Sequence, residues 1–125
     1  MQHLVFIAVG GACGALARYG LSVYALNLWG RAWPLGTLVI NASGSFCIGV
    51  VFVMLERAAL HPDWRSVLMV GFLGAFTTFS TFSLETVELW IQGQPGMAAA
   101  YAVASVLFCV GAAATGIYLT RSLLG

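Results

Sequence analysis

Four long apolar segments, separated by short polar breaks, dominate the pattern of hydrophobic and polar positions along the chain. The breaks read WGRAWPLG, ERAALHPDWR and QGQPG, and proline, glycine and charge in such short stretches are typical of turns. Since a membrane helix needs about 20 mainly apolar residues, the pattern predicts an all-α membrane protein, with residues 1–125 forming one domain of four transmembrane helices. The predicted spans are roughly His3 to Leu28, Leu35 to Leu55, Ser66 to Ile91, and Gly96 to Leu119.

The composition strengthens this prediction and excludes several classes of protein. The chain is 61% hydrophobic and 7% charged, with a mean hydropathy of +0.96, whereas a soluble domain carries about 25% charged residues. A formal net charge of +1 leaves no basic patch for nucleic acid. The three cysteines lie singly in apolar segments, without the spacing of a metal site or of a disulfide framework. The first segment has no basic residue ahead of it, so we expect a retained span, not a cleaved signal.

The arginines give only a weak indication of how the chain is oriented in the membrane. Arg57, Arg65 and Arg121 fall on one side of the predicted topology, and Arg31 falls on the other side, joined by Arg18. Orientation follows the excess of positive charge in the loops, and three against two is a small excess. We therefore expect dual topology and an antiparallel homodimer. A weak but definite orientation is the alternative.

Small residues recur in the first two segments, at Gly10, Gly11, Gly14 and Ala15 and again within residues 42–49. Small residues at spacings of three and four let helices approach closely in lipid. This pattern predicts tight helix packing and not a wide aqueous channel.

The third segment contains a polar stretch, GFLGAFTTFSTFSLE at residues 71–85, that is unusual inside a membrane span. Five hydroxyl side chains fall between Thr77 and Ser83, and Gly71 and Gly74 come just before them. These features predict a helix that is broken near mid-membrane, and such backbone is tolerated only where protein buries it or where it lines a cavity. A polar-lined packing interface between helices is the alternative.

A broken helix would place charge-binding groups inside the membrane. Amides freed at the start of one half-helix attract anions, and carbonyls freed at the end of the other attract cations. Phe79 and Phe82 lie three residues apart, so their rings share a helix face. Because an aromatic ring is positive at its edge, these rings could contact a small anion that has shed its hydration.

Several polar residues of the other segments are candidates for the same path. Asn41 either donates to the anion or bonds across to a neighbouring helix, and Tyr101 and Ser105 lie on one face of the fourth segment. Glu85, the one carboxylate expected within the membrane, is a functional candidate by default or simply accepts hydrogen bonds near the exit. Arg18 lies about 22 Å along the first helix, where it could snorkel to the membrane surface or draw anions into a vestibule.

In these segments the chain resembles the Fluc-type (CrcB) fluoride channels. The resemblance rests on GGACGALARY at 10–19, GTLVINASGSFCIG at 36–49 and GFLGAFTTFSTFSLE at 71–85, and it extends to Tyr101 and Ser105 in the fourth segment. One departure is Ala75, which stands where a second glycine is usual in that family.

The resemblance implies a dual-topology homodimer with two antiparallel pores, which conducts fluoride passively out of the cell across its inner (plasma) membrane. It implies that Phe79 and Phe82 line each pore with their ring edges and that Asn41 donates to the anion. Ser105 and Tyr101 would lie near that anion. The remaining members of the implied polar track are Ser80, Thr81 and Glu85.

The resemblance also implies a structural Na⁺ on the dimer axis, bound by the backbone carbonyls of Gly74 and Thr77 from each subunit. Arg18 would lie in the aqueous vestibule. The residues alone support only the more general conclusion of a pathway for a small dehydrated anion.

Three other functional classes fit the sequence less well than a channel does. A small dual-topology proton-coupled exporter needs a titratable acid deep in the first helix, and residues 1–28 contain no Asp or Glu. A non-transporting scaffold would use the hydroxyl cluster for packing only. An enzyme is the least favoured class, because His3 and His61 fall at the membrane edges and no nucleophile–base pair is evident.

Overall fold

The computed structural model describes residues 1–30 and 34–125, and this part of the chain is helical with no strand. Arg31, which entered the comparison of charges across the membrane, lies outside the described residues. The first two helices are α1 (Gln2–Trp29) and α2 (Leu35–Glu56). The third segment begins with α3, in which π-helical Arg65–Leu73 continues into α-helical Gly74–Phe76. The last two helices are α4 (Phe79–Ile91) and α5 (Pro95–Leu124).

The prediction of an all-α protein with four membrane-spanning segments is confirmed. Four stretches are long and apolar enough to cross a bilayer: Gln2–Trp29, Leu35–Glu56, Arg65–Ile91 and Pro95–Leu124. The main difference in bounds is at the end of α5, which continues five residues beyond the predicted Leu119. Arg121 therefore lies in its last turn, where a cation is favoured by the helix dipole, and it pairs with Glu56 of α2 at 3.3 Å.

The helices pack as two parallel pairs. In one pair α1 runs alongside α3: His3 Nδ1 lies 2.8 Å from Ser66 Oγ near the start of both helices, and Arg18 bonds to Ala75 further along both. In the other pair α2 runs alongside α5, and the Glu56–Arg121 contact closes the far end. Short connections join successive spans, so each span runs opposite to the one before it. The first and third spans are therefore parallel to each other, and so are the second and fourth.

Glycines bring the backbones of α2 and α5 together. A Cβ atom built on Gly49 would collide with the carbonyl oxygen of Ala113, and one built on Gly116 would collide with the carbonyl oxygen of Phe46. Each helix thus has a glycine that lies against the backbone of the other helix, as expected for small residues at helix crossings in lipid. The prediction of tight helix contact applies to α5 as well as to the first two segments.

Replacing Gly116 with alanine is expected to destabilise the protein by about 1–3 kcal/mol, because the added methyl group has no space. The change should appear as a lower midpoint of thermal unfolding in detergent. Gly111→Ala is the matched control, since Gly111 lies on the same helix and no atom of the described residues comes within 4 Å of its Cβ position. Equal midpoints for the two variants would contradict the proposed close approach.

The first half of the third segment differs from the regular helix that the sequence predicts. Its nine residues Arg65–Leu73 are π-helical, although π geometry is usually confined to single turns and is often found at functional sites. Gly71 lies within this stretch, and its Cβ position would be 2.9 Å from the carbonyl oxygen of Ile7 on α1. A glycine lowers the steric cost of leaving α geometry, and α1 packs directly on this altered surface.

Candidate functional site

Two residues of extended backbone, Thr77 and Thr78, separate α3 from α4. Thr77 has φ −81° and ψ 156°, and Thr78 has φ −149° and ψ 116°. The N–H of Thr77 donates to the carbonyl of Leu73 at 3.1 Å, and this bond completes α3. The hydroxyl of Thr78 accepts a bond from the N–H of Thr81 at 3.2 Å. Thr78 is therefore the N-cap of α4, a position that favours threonine because its side chain satisfies an otherwise unpaired amide.

Asn41 of α2 binds both backbone groups of Thr78. Its Nδ2 donates to the Thr78 carbonyl at 2.9 Å, and the Thr78 N–H donates to its Oδ1 at 2.7 Å. The carboxamide thereby acts as a neighbouring peptide group would, and it pairs the N–H and the carbonyl of Thr78, which have no partner within a helix. The contact is the bond across to a neighbouring helix that the sequence leaves open as one alternative. The second N–H of Nδ2 is a further donor that these two bonds do not use.

Arg18 of α1 reaches the other side of the same interruption. Its Nε donates to the carbonyl of Ala75 at 2.9 Å, and the side chain is half-buried. Ala75 lies in the last turn of α3, where carbonyls have lost their helical donors. The interruption between α3 and α4 is thus contacted by a polar side chain from each of the first two helices.

A groove of about 370 Å³ opens beside the interruption. Its lining is mostly apolar, and it includes four of the predicted anion-path residues together with both predicted carbonyl ligands: Asn41, Phe79, Phe82, Ser105, Gly74 and Thr77. Ser105 is 7% exposed, and its hydroxyl has no hydrogen-bond partner within the described residues. A buried hydroxyl without a partner costs free energy, and this one lies in the wall of the groove.

Three aromatic rings form a row that leads away from the groove. The ring centroids of Phe79 and Phe82 are 5.4 Å apart at an interplanar angle of 50°. Those of Phe82 and Tyr101 are 5.3 Å apart at 49°. Phe79 is 76% exposed, whereas Tyr101 is 6% exposed. Tilted rings present edges as well as faces, and an edge carries the positive part of the quadrupole.

The row ends at a second, polar cavity of about 550 Å³ near the α4–α5 turn. The Tyr101 hydroxyl donates to Glu85 Oε1 at 3.0 Å, and Glu85 lines this cavity. The polar side chains that line it are Ser22, Thr37, Thr81, Glu85, Glu88, Gln92 and Gln94. A continuous series of side-chain contacts therefore leads from the groove through the aromatic row to the polar cavity.

Two of the predicted site residues lie apart from the others. Ser80 is exposed and lines neither cavity, although its hydroxyl is 3.3 Å from that of Thr78. Arg18 also lines neither cavity. The remaining candidates, from Asn41 to Ser105, lie in the groove, in the polar cavity or in the aromatic row between them.

Two residues of this site were not singled out from the sequence. Thr78 holds the interruption through its backbone and hydroxyl, and the signal for it is a threonine followed three residues later by Thr81 at the start of an apolar helix. Thr37 is 8% exposed and lines the polar cavity. Its signal is a position one turn before Asn41 on the same face of α2.

Comparison with known proteins identifies the family. The model of the family described as "CrcB-like protein, Camphor Resistance (CrcB)" matches residues 5–117. The fluoride-specific ion channel FluC of Hahella chejuensis is 47% identical over 125 residues, which cover 99% of this chain and 98% of the relative. The FluC proteins of Saccharophagus degradans and Shewanella amazonensis are 48% identical over 122 residues (94% of this chain and 89% of the relative) and 40% identical over 124 residues (99% and 97%).

These relatives confirm two predictions made from the sequence. They are named as ion channels, so the expectation that the chain is not an enzyme holds. The four apolar helices, together with such relatives, make the chain a multi-pass membrane protein. A match over most of the chain to the family model and to full-length relatives shows that the chain belongs to the CrcB family.

Proposed function

We propose that the chain is a passive and selective fluoride channel that lets fluoride leave the cell and so relieves its toxicity. Three relatives between 40% and 48% identical support this, since each is named a fluoride-specific ion channel. The observation that carries the proposal is the groove beside Thr77 and Thr78, whose walls hold phenylalanine rings and a serine hydroxyl that has no hydrogen-bond partner among the described residues.

The third transmembrane segment acts, in this proposal, as a helix broken near mid-membrane. The extended backbone of Thr77 and Thr78 between α3 and α4 supports it. The break turns the amide end of α4 toward the membrane interior, and the positive end of a helix dipole attracts anions. Thr78 and Asn41 satisfy the backbone that the break frees, so this polar backbone does not face lipid.

Fluoride would pass the break by exchanging water for ring edges and polar donors. Phe79 and Phe82 supply edges in the groove, and Ser105 and the Asn41 N–H that its bonds to Thr78 do not use supply hydrogen-bond donors. None of these groups carries a full charge. The anion is therefore compensated as it loses hydration but is not bound so strongly that it stays.

Beyond the rings, the anion would leave through the polar cavity. Tyr101 holds Glu85 there by a hydrogen bond, and Thr81 lines the same wall. A carboxylate that accepts a bond from tyrosine has part of its charge offset. In this proposal Glu85, Thr81 and Ser80 form the polar track toward the exit.

The functional unit is proposed to be an antiparallel, dual-topology homodimer with two pores. The ring of Phe79 is 76% exposed in the single chain, and the groove beside it opens at the chain surface. A second copy would cover this face and complete each pathway. The near balance of arginines between the two sides favours insertion in both orientations.

A structural Na⁺ fits the carbonyl groups at the break. In a continuous helix the carbonyls of Gly74 and Thr77 would accept bonds from the amides of Thr78 and Thr81. Those amides donate instead to Asn41 Oδ1 and to the Thr78 hydroxyl. Two hard oxygen ligands are thereby left without their helical donors, and residues 1–30 and 34–125 hold no side-chain cluster suited to a metal. The ion would join the two subunits and fix the ends of α3.

Fluoride efflux from liposomes tests the proposed function. Purified protein in vesicles loaded with potassium fluoride should release fluoride when valinomycin balances charge, with a protonophore present to collapse any proton gradient. Vesicles loaded with chloride should retain it. Cation uptake driven by a proton gradient, in vesicles without the protonophore, would instead indicate the coupled exporter, and absence of any fluoride release would contradict the channel.

A further inference from the structure

We propose that Arg18 is a positioning residue for the pathway, and that conduction depends on its hydrogen bond to Ala75 more than on its positive charge. This inference rests on the proposed channel function. It concerns a side chain for which the sequence leaves open a snorkelling position or a vestibule charge, whereas the bond to Ala75 is a contact with the break itself.

The placement of Arg18 argues against a role as a simple attractor of anions. Its side chain is half-buried, and it lines neither the groove nor the polar cavity. Within the described part of the chain it forms no ion pair, since those found there involve Arg57, His61 and Arg121. The charge is compensated instead by the carbonyl end of α3, which carries the negative part of the helix dipole.

The bond acts on the residue between the two proposed Na⁺ ligands. Ala75 follows Gly74 directly and precedes Thr77 by two positions. In a continuous helix its carbonyl would accept from the amide of Phe79, but the extended residues 77 and 78 prevent that pairing. Arg18 supplies the missing donor at 2.9 Å. Without it, a half-buried carbonyl in the last turn would lose its partner.

Two side chains thus hold the break from opposite sides. Asn41 of α2 binds Thr78, at the start of α4, and Arg18 of α1 binds Ala75, at the end of α3. The glycines of α1 bring it close enough for this contact, since Gly14 lies against the backbone of Phe72 one turn earlier. Because the end of α3 and the start of α4 are both held, the positions of the carbonyls and phenylalanine rings beside the break are fixed.

A pair of neutral substitutions separates the hydrogen bond from the charge. The bond is made by Nε, and glutamine carries its amide nitrogen the same number of bonds from Cα, whereas methionine carries a methyl group there. Arg18→Gln therefore keeps a donor at that point, and Arg18→Met removes it. We expect fluoride efflux from liposomes to stay within about threefold of wild type for the glutamine variant and to fall at least about tenfold for the methionine variant.

Every other outcome overturns the proposal. Equal losses in both variants would show that the charge carries the effect, and equal retention would show that the bond is not needed. A glutamine variant that does not fold also counts against it, because that variant keeps the bond. Wild-type protein that releases no fluoride would refute the channel function separately. In that case the midpoints of thermal unfolding test the role of the bond. We expect the midpoint of Arg18→Gln to match that of wild type and the midpoint of Arg18→Met to be lower. Equal midpoints for the two variants would overturn the role of the bond.

Discussion

Asn41→Asp is expected to lower fluoride flux by roughly a thousandfold. Aspartate has the shape of asparagine, but it replaces the Nδ2 donor with a charged oxygen that faces the Thr78 carbonyl. A fixed negative charge about 4 Å from a passing anion costs on the order of 4 kcal/mol at an effective dielectric constant of about 20, and each 1.4 kcal/mol is a factor of ten in rate. Fluoride efflux from liposomes measures the loss.

The control for Asn41→Asp is the same chemical change at an unrelated site. Gln2→Glu also turns an amide into an acid, but Gln2 is exposed at the start of α1, away from the groove. We expect that variant to conduct as wild type does. Wild-type flux in Asn41→Asp would show that the anion does not pass near Asn41.

Phe82→Ile is expected to reduce fluoride flux by about ten- to a hundredfold while leaving the proposed dimer intact. Phe82 lies between Phe79 and Tyr101 in the aromatic row, so its loss interrupts the series of ring edges. An anion that loses this ring edge loses part of the positive quadrupole that compensates its dehydration, and a ten- to hundredfold loss of flux corresponds to about 1.4–2.8 kcal/mol in the barrier. Isoleucine keeps an apolar side chain but has no quadrupole.

Phe108→Ile is the matched control for this experiment. Phe108 is 62% exposed on α5 and lines neither cavity. Flux in that variant should equal wild type, and size-exclusion chromatography should show the same oligomer for both. If Phe82→Ile conducts as well as Phe108→Ile, the rings do not solvate the anion.

The parts of the molecule that follow from local pattern could be predicted from the sequence. Apolar length gives the four spans, because lipid accepts only helices of sufficient length or closed barrels. The density of hydroxyls around Thr78 indicates an unusual backbone there. Small residues such as Gly14 indicate where helices meet closely.

The contacts that depend on distant residues could not be predicted in this way. The pairing of Asn41 with both backbone groups of Thr78 requires the register of α2 against the third segment. The same holds for the bond of Arg18 to Ala75. The π-helical stretch Arg65–Leu73 has no sequence signal beyond Gly71, since the same residues suit an ordinary helix.

Thr78 is tied down through its amide, its carbonyl and its hydroxyl. A residue restrained at all three groups cannot swing as a hinge, and enzymes and channels that depend on a moving lid place such motion in loosely held segments. In the proposed channel, the route beside Thr78 would then keep one shape. Throughput would be governed by how readily the ion exchanges its water shell, and temperature or voltage would act on that exchange and not on an opening transition.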